Sequence, residues 1–322
     1  MNISIIIPVY NVSQYIERCL LSVWEQSYNH LEIIIVDDAS PDDSMDKIKN
    51  FLNQHPTSHK IKIITHPFNK GISASRNTGI KNATGKYLFF LDSDDSIPKD
   101  SIQSLVEYLA YSPDIDMVIS NTQIINLNKK IKTPSIKLSL KNNTILECDE
   151  IINSFLKKEW YDTAWNKLIK KDFLLEKNGW FLEGIVHEDT LWAFYIAYKT
   201  NKVIISNKLT YNYFIHPNSI MSNKGEKNFN SLAIVIEKIL SIIPKKDYNE
   251  KKDLLCTYLT SLKIYFLKSL ISYNGNIAFK KDVRKRINNL YSHPLFMNWK
   301  RPFSFLLKEE LLNIIINLNI KK

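Results

Sequence analysis

Cysteine is scarce in this chain of 322 residues. Cys19, Cys148 and Cys256 are the only three, and no two lie close together. That excludes a disulfide framework and a CxxC zinc site. Seven glycines and 11 prolines are too few for a collagen-like or linker-rich chain. No stretch reaches the roughly 18 apolar residues of a spanning helix. The opening Met-Asn-Ile-Ser-Ile-Ile-Ile-Pro-Val-Tyr has no basic leader, and Pro8 interrupts it, so it reads as a strand and not as a signal peptide. Neither GxGxxG nor GxxxxGK[ST] occurs, which removes most support for dinucleotide dehydrogenases and P-loop enzymes. A reduced, cytoplasmic setting is expected, with peripheral contact at the inner face of the cell membrane left open.

What is present describes an ordinary globular chain. Hydrophobic residues make up 44% and charged residues 24%, which excludes disorder as the main state. The length allows two domains at about 100–200 residues each. The net charge of +10 is unevenly placed. Residues 1–125 hold 10 Lys+Arg against 15 Asp+Glu, residues 126–322 hold 33 against 18, and within the latter residues 222–322 hold 19 against 8. An acidic front and a basic back suggest two jobs. A basic region attracts nucleic acid, an anionic membrane face or a phosphorylated substrate.

Residues 3–9, 31–36, 61–65 and 86–91 read as short apolar strands, and residues 13–26, 42–53 and 73–83 as helices between them, with Ser13 capping the first. This alternation predicts an α/β fold with a mainly parallel, doubly wound sheet. Residues 126–146 read as irregular or hairpin structure, 149–158 and 165–178 as helices, and 203–215 as one or two strands. From 228 onward helices are expected at about 228–243, 250–273, 276–290 and 303–318. The domain reading is a nucleotide-binding half (1–125), an acceptor-binding half (126–222) and a basic helical region (223–322).

Sheets of this kind bind ligands at the carboxyl ends of their strands, and polar residues gather there. The first strand ends on Pro8, Val9, Tyr10 and Asn11, and the second on Asp37 and Asp38. The third is followed by Asn69, Lys70, Gly71, Arg76 and Asn77, and the fourth ends on Asp92, Ser93, Asp94 and Asp95. Three carboxylates within four residues repel one another and call for a cation. Mg²⁺ or Mn²⁺ suits oxygen ligands and neutralises a diphosphate; the alternative is a solvated turn capping the next helix. Asp37 or Asp38 can accept from a nucleobase N–H or a ribose hydroxyl. Glu188 and Asp189 open a helix, either as caps or as a general base for an acceptor hydroxyl, with His187 a rival base or a packed residue. Trp165, among Trp160, Tyr161 and Trp180, suits either a sugar face or the core. Lys167 suits a phosphate. His216 reads as a structural histidine or as one that reaches a metal or pyrophosphate from a loop.

Taken together, these residues resemble family-two inverting glycosyltransferases with the Rossmann-like GT-A fold. The resemblance runs through Ile-Ile-Ile-Pro-Val-Tyr-Asn, Ile-Val-Asp-Asp-Ala-Ser, Asn-Lys-Gly-Ile-Ser-Ala-Ser-Arg-Asn-Thr-Gly, Leu-Asp-Ser-Asp-Asp, Trp-Asn-Lys-Leu and His-Glu-Asp-Thr-Leu, in order, over residues 3–222. It resembles most closely the bacterial enzymes that build capsule, exopolysaccharide or lipopolysaccharide. The resemblance implies a nucleotide site at Pro8, Tyr10, Asp38 and Arg76, with Asp37, Gly71, Asp92, Ser93 and Lys167 beside it. It further implies metal ligation by Asp94, with Asp95 and His216 as further candidates, and Asp189 as catalytic base beside an acceptor site at Trp165, His187 and Glu188. The implied reaction is a single, non-processive transfer from a UDP-sugar to a glycan or lipid-linked glycan, with inversion to a β-glycoside. The Gln-x-x-Arg-Trp box of processive relatives is absent, and His216 stands where many relatives have arginine.

The C-terminal hundred residues lie outside those motifs. Residues 303–320 carry an apolar face flanked by Lys300, Arg301, Lys321 and Lys322. The expectation there is either contact with an anionic membrane or packing against the protein or a second copy in a homodimer. Two competing functions, nucleic-acid binding and an inactive partner of another transferase, fit less well. The most function-like cluster is acidic, and Asp94 and Asp189 are retained.

Overall fold

The computed structural model describes residues 1–126, 131–132, 138–216 and 225–320, with backbone alone for 131–132 and 317–320. Part of the irregular segment expected at 126–146, the loop after His216, and Lys321 and Lys322 lie outside the described residues. The chain divides into two units. One comprises residues 1–155, 159–184 and 192–217; the other comprises 156–158, 185–191 and 218–322.

In the first unit the isoleucine-rich runs become β1 (Ile3–Val9) and β2 (Leu31–Asp37), buried at every position. Such runs lack alternation because both faces of a parallel sheet are covered. Between them, α1 (Ile16–Trp24) buries Ile16, Cys19, Leu20 and Val23, the i, i+3, i+4, i+7 stripe of a core-facing helix. Ser13 is not its cap. Tyr15 holds that position without a side-chain bond, and the Ser13 amide donates to Asp42 Oδ2 at 2.8 Å. Next come α2 (Ser44–Gln54), β3 (Lys60–Thr65), α3 (Ile72–Asn82) and β4 (Tyr87–Phe90). After them follow α4 (Ser101–Tyr108), β5 (Met117–Asn126), β6 (Ile131–Lys132), β7 (Ile145–Glu147), α5 (Asp149–Leu156), β8 (Lys167–Lys170), α6 (Lys171–Glu176), α7 (Glu188–Lys199) and β9 (Lys202–Ile215), of which Leu156 and residues 188–191 fall in the second unit.

The strand order is β3-β2-β1-β4-β8-β5-β9-β7, with β6 paired to β5. β3, β2, β1 and β4 are parallel, as expected. β8 then runs antiparallel to both β4 and β5, and β9 runs parallel to β5. The sheet is therefore mixed, which corrects the mainly parallel reading. The helix expected over 165–178 is also corrected. Its first part is strand β8, whose Lys167, Leu168 and Ile169 are buried, and only Lys171–Glu176 is helical. Four residues carry too little periodicity to separate strand from helix. β5, which the sequence reading missed, sits beside it. Two antiparallel steps restore direction, so the carboxyl end of β9 comes to the same edge as those of β1, β2, β3 and β4.

The second unit is helical. Its elements are α8 (Glu226–Ile242), α9 (Asp247–Glu250), α10 (Lys252–Ile271), α11 (Ile277–Asn288) and α12 (Phe303–Ile320), close to the expected ranges. α10 is central and packs against α8, α11 and α12. It is long and apolar enough to cross a membrane by length and composition, but Leu255, Leu259, Phe266, Leu267 and Leu270 are buried inside the protein. At the α10–α12 contact, Lys263 Nζ lies 2.5 Å from Glu309 Oε1, and Tyr291 donates to Glu309 Oε2 at 2.6 Å.

Candidate active site

The carboxyl edge of the sheet collects the polar residues singled out above. At the end of β1, Tyr10 is 46% exposed. Asn11 takes a left-handed φ of 54° and donates its amide to Ser40 Oγ at 2.8 Å. The register sets Val9 beside Asp37, and the Asp38 amide donates to the Val9 carbonyl at 2.9 Å. Asp37 Oδ1 accepts from the Ser40 amide at 2.9 Å. The Asp38 carboxylate is buried and accepts from the amides of Lys70 and Gly71 at 2.8 and 2.7 Å. Its Oδ1 also lies 2.7 Å from His66 Nδ1. A carboxylate has about four acceptor positions, so Asp38 has roughly one left for a ligand. Half of its hydrogen-bonding capacity, about two of four positions, holds the 69–71 loop. Gly71 makes that loop feasible, because its φ of 89° is strained for any residue with a side chain.

His66 escaped the sequence reading. It follows β3 directly and bridges Asp38 to Thr78, whose Oγ1 lies 2.9 Å from His66 Nε2. Its place just beyond a strand, on the ligand edge, was the available signal.

α3 delivers Arg76 and Asn77, both buried. An Arg76 terminal nitrogen donates to Asp92 Oδ1 at 2.9 Å, with the guanidinium 5.2 Å from the centre of the Phe181 ring. Asn77 accepts from the Phe181 amide and donates to the Phe181 carbonyl, both at 2.9 Å, which ties segment 181–183 to the helix.

The four residues after β4 have different surroundings. Asp92 is paired with Arg76, and Ser93 is buried. Asp94 Oδ2 lies 2.7 Å from His216 Nε2, just past the end of β9, and the His216 ring packs 4.6 Å from Tyr15. Arg18, a second residue missed in the sequence, donates to the Asp94 carbonyl and covers the Phe214 ring at 3.5 Å. Burial, and next the Asp92 charge, raises the Asp94 carboxyl above its ordinary range, partly offset by His216. Asp95 is tied to β9. Its oxygens accept from the Tyr211 hydroxyl and the Phe214 amide, both at 2.8 Å. Burial, followed by its two carboxylate neighbours, pushes it well above the usual carboxylate range. Asp95 therefore anchors β9 to the turn after β4.

Two further expectations are corrected. The Lys167 ammonium is buried and donates to the carbonyls of Tyr161 and Thr163 at 3.0 and 2.7 Å and to Asn166 Oδ1 at 2.9 Å. It organises the 161–166 turn instead of facing a phosphate. Trp165 is 6% exposed and stacks on Tyr211 at 4.7 Å and Tyr213 at 5.5 Å. It belongs to the core.

Glu188 and Asp189 are the first two residues of α7, where carboxylates meet the positive end of the helix dipole. They belong to the second unit. Glu188 is buried and Asp189 half-buried. His187 has a left-handed φ of 64°. Its Nε2 lies 3.2 Å from Asn228 Oδ1 and its ring meets Tyr265 edge-on.

Among the described residues no three His, Cys, Asp or Glu side chains converge as an all-protein metal cage. The chain offers a pair, Asp94 and His216. Buried His216 Nδ1 has no hydrogen-bond partner among the described residues. Mg²⁺ and Mn²⁺ commonly use one or two protein ligands and complete their shell with phosphate oxygens and water, so the pair fits such an ion.

The Glycosyl transferase family 2 profile matches residues 4–176, from β1 to the end of α6. The chain belongs to this family. It is 30% identical to the uncharacterized glycosyltransferase EpsJ of Bacillus subtilis over 308 residues, covering 91% of this chain and 84% of EpsJ. It is also 30% identical to the glycosyltransferase GlyA of Streptococcus pneumoniae over 90% of its own length but only 42% of GlyA's. The structure of S. aureus TarS 1–349 in complex with UDP-GlcNAc matches with a TM-score of 0.68 at 18% identity, covering 98% of this chain and 92% of that one. The mannosyltransferase PcManGT of Pyrobaculum calidifontis, in complex with GDP-Man and Mn²⁺, matches with a TM-score of 0.56 at 17% identity, covering 97% and 87%. These likenesses establish a family 2 glycosyltransferase of GT-A fold with C-terminal helices.

Proposed function

We propose that the enzyme transfers a hexose or N-acetylhexosamine from a UDP-sugar to a hydroxyl of a glycan or lipid-linked glycan, with inversion, in the synthesis of a surface polysaccharide. The observation that carries this reading is the cluster at the carboxyl edge. There Asp94 meets His216 at 2.7 Å while Asp92 is neutralised by Arg76 at 2.9 Å. The nucleotide would lie along Pro8, Tyr10, Asp37, Asp38 and the Gly71 loop. Asp94 and His216 would hold the ion. When bound, Mn²⁺ or Mg²⁺ supplies positive charge to the departing diphosphate. Buried Arg76 steadies Asp92 and leaves Asp94 to the ion. In the bond change, the acceptor oxygen joins the anomeric carbon, the bond to the diphosphate breaks, and the acceptor proton passes to Asp189 as general base. The neighbours bind UDP-GlcNAc and GDP-Man; a UDP donor is favoured here by the resemblance to polysaccharide-locus enzymes.

The test is a screen of nucleotide sugars with Mn²⁺ and Mg²⁺, read as released nucleoside diphosphate with and without glycan acceptors. Asp189→Asn should lower transfer by about 10²–10⁴-fold, the scale of a lost general base, while UDP affinity by calorimetry stays within about threefold. Loss of UDP binding with turnover retained would overturn the assignment.

A further inference from the structure

α12 is apolar on two sides. Leu312 and Ile316 are buried together with Glu309, and that side packs against α10. On the other side, Phe303, Leu307, Leu311 and Ile314 are 76, 56, 55 and 56% exposed. At about 100° and 1.5 Å per residue these four lie within an arc of about 80° and form a ridge about 16 Å long. Exposed apolar residues scattered singly are normal, but an aligned row marks a surface that something covers.

The flank of this ridge is basic. Lys281, Arg284 and Lys285 of α11 line a shallow depression of about 280 Å³ with Asn288 and Asn289, and no acidic side chain is part of that lining. Arg284 also donates from Nε to Asn313 Oδ1 at 2.9 Å, one residue before Ile314. Asn313 sits about 80° round α12 from the near edge of the ridge, so the basic depression lies on that flank of the helix. Asp247 and Glu309 are engaged by buried lysines; Asp282 of α11 and Glu310 of α12 are exposed, against exposed Lys281, Lys285 and Lys308, and the balance stays basic, with 19 Lys+Arg to 8 Asp+Glu over residues 222–322.

Charge selects the occupant. A second copy docked ridge to ridge about a two-fold axis would bring two basic flanks together, and nucleic acid would leave the ridge without an apolar phase. An anionic bilayer meets both needs. We propose that this face of the helical unit docks on an anionic membrane surface. Phe303, Leu307, Leu311 and Ile314 enter the boundary between headgroups and acyl chains, while Lys281, Arg284 and Lys285 meet lipid phosphates. This proposal stands independently of the donor and base assignments.

The experiment is co-sedimentation of the full chain with vesicles of phosphatidylcholine alone or mixed with phosphatidylglycerol, over a range of salt. Binding is expected on the mixed vesicles, weakening as salt rises. Lys281→Ala with Lys285→Ala should lower affinity roughly 25-fold, at about fivefold per lysine, and flatten the salt dependence. Leu307→Ser with Leu311→Ser should lower it at least about tenfold while circular dichroism is unchanged. Equal recovery on both vesicle types at low salt would overturn the proposal. So would binding that the ridge variant leaves intact, or a ridge variant that converts a dimer to a monomer in lipid-free sedimentation velocity without altering vesicle binding.

Discussion

Asp94 and Asp95 are neighbours in the chain with different tasks. Asp94 lies beside His216, and Asp95 is spent on Tyr211 and the Phe214 amide. Composition cannot separate two adjacent aspartates, because the difference is which way each side chain leaves the turn. A third carboxylate shows the same point at the opposite edge of the sheet. Glu32 is fully buried and accepts from Ser4 Oγ at 2.6 Å, the Thr84 amide at 2.6 Å and Thr84 Oγ1 at 2.9 Å, with Lys62 3.2 Å away. Burial alone would raise its carboxyl; the hydrogen bonds from Ser4, Thr84 and Lys62 outweigh that and lower it from 4.5 to about 2. A depressed carboxyl stabilises the fold above its unfolded pKa, and the contribution fades as pH falls from about 4.5 toward 2. Its size is roughly 3 kcal/mol. Glu32→Gln should therefore lower urea stability by that order at pH 7 and by much less near pH 3. An equal loss at both pH values would refute the electrostatic account.

At the scale of elements, the decisive pieces are β8 and β9. β8 inserts between β4 and β5 in the opposite sense, and β9 then brings His216 to the ligand edge. The close approach of β1 and the β4 turn depends on Gly85. A Cβ there would stand 2.5 Å from the Ser4 amide nitrogen and 2.9 Å from the Ile3 carbonyl carbon. Backbone cannot move aside as a flexible side chain can. Gly85→Ala should cost about 2–3 kcal/mol, read as a shift in urea midpoint, with the Ser4–Glu32–Thr84 network disturbed. A neutral result would mean that the turn before β4 is loosely held. Most β1–β4 strand and helix signals were legible because β1, β2 and β4 are largely apolar runs, while β3, Lys-Ile-Lys-Ile-Ile-Thr at the edge of the sheet, is partly exposed. β8 was not, because four residues flanked by Trp165 and Lys171 match a helix as well as a strand.

For the whole molecule, the chain forms two units with separate cores, and the charge asymmetry follows them in part. The acidic front includes the carboxylates of the sheet edge, and the basic back includes the helical unit. Within that unit, Glu309 receives Lys263 and Tyr291 and lies 3.5 Å from Arg301. Removing one partner from a buried pair costs about 3–5 kcal/mol, since the other charge is stranded. Glu309→Ala should accordingly raise hydrogen exchange through α8, α10, α11 and α12 while amides of β1, β2 and β4 keep their protection. Uniform deprotection of both units would show that they open together.

The sequence by itself determined the family, the alternating α/β front, the helical back and the identity of Asp94 and His216 as candidates, because apolar periodicity and ordered motifs are local properties. Only the tertiary structure decided which polar side chains remain available. Lys167 and Trp165 are drawn into the interior and Asp95 into a strand clamp, while Arg18 and His66 are brought to the edge. Those outcomes depend on strand direction and burial across residues more than a hundred positions apart, such as Asp94 and His216, and no local pattern encodes them.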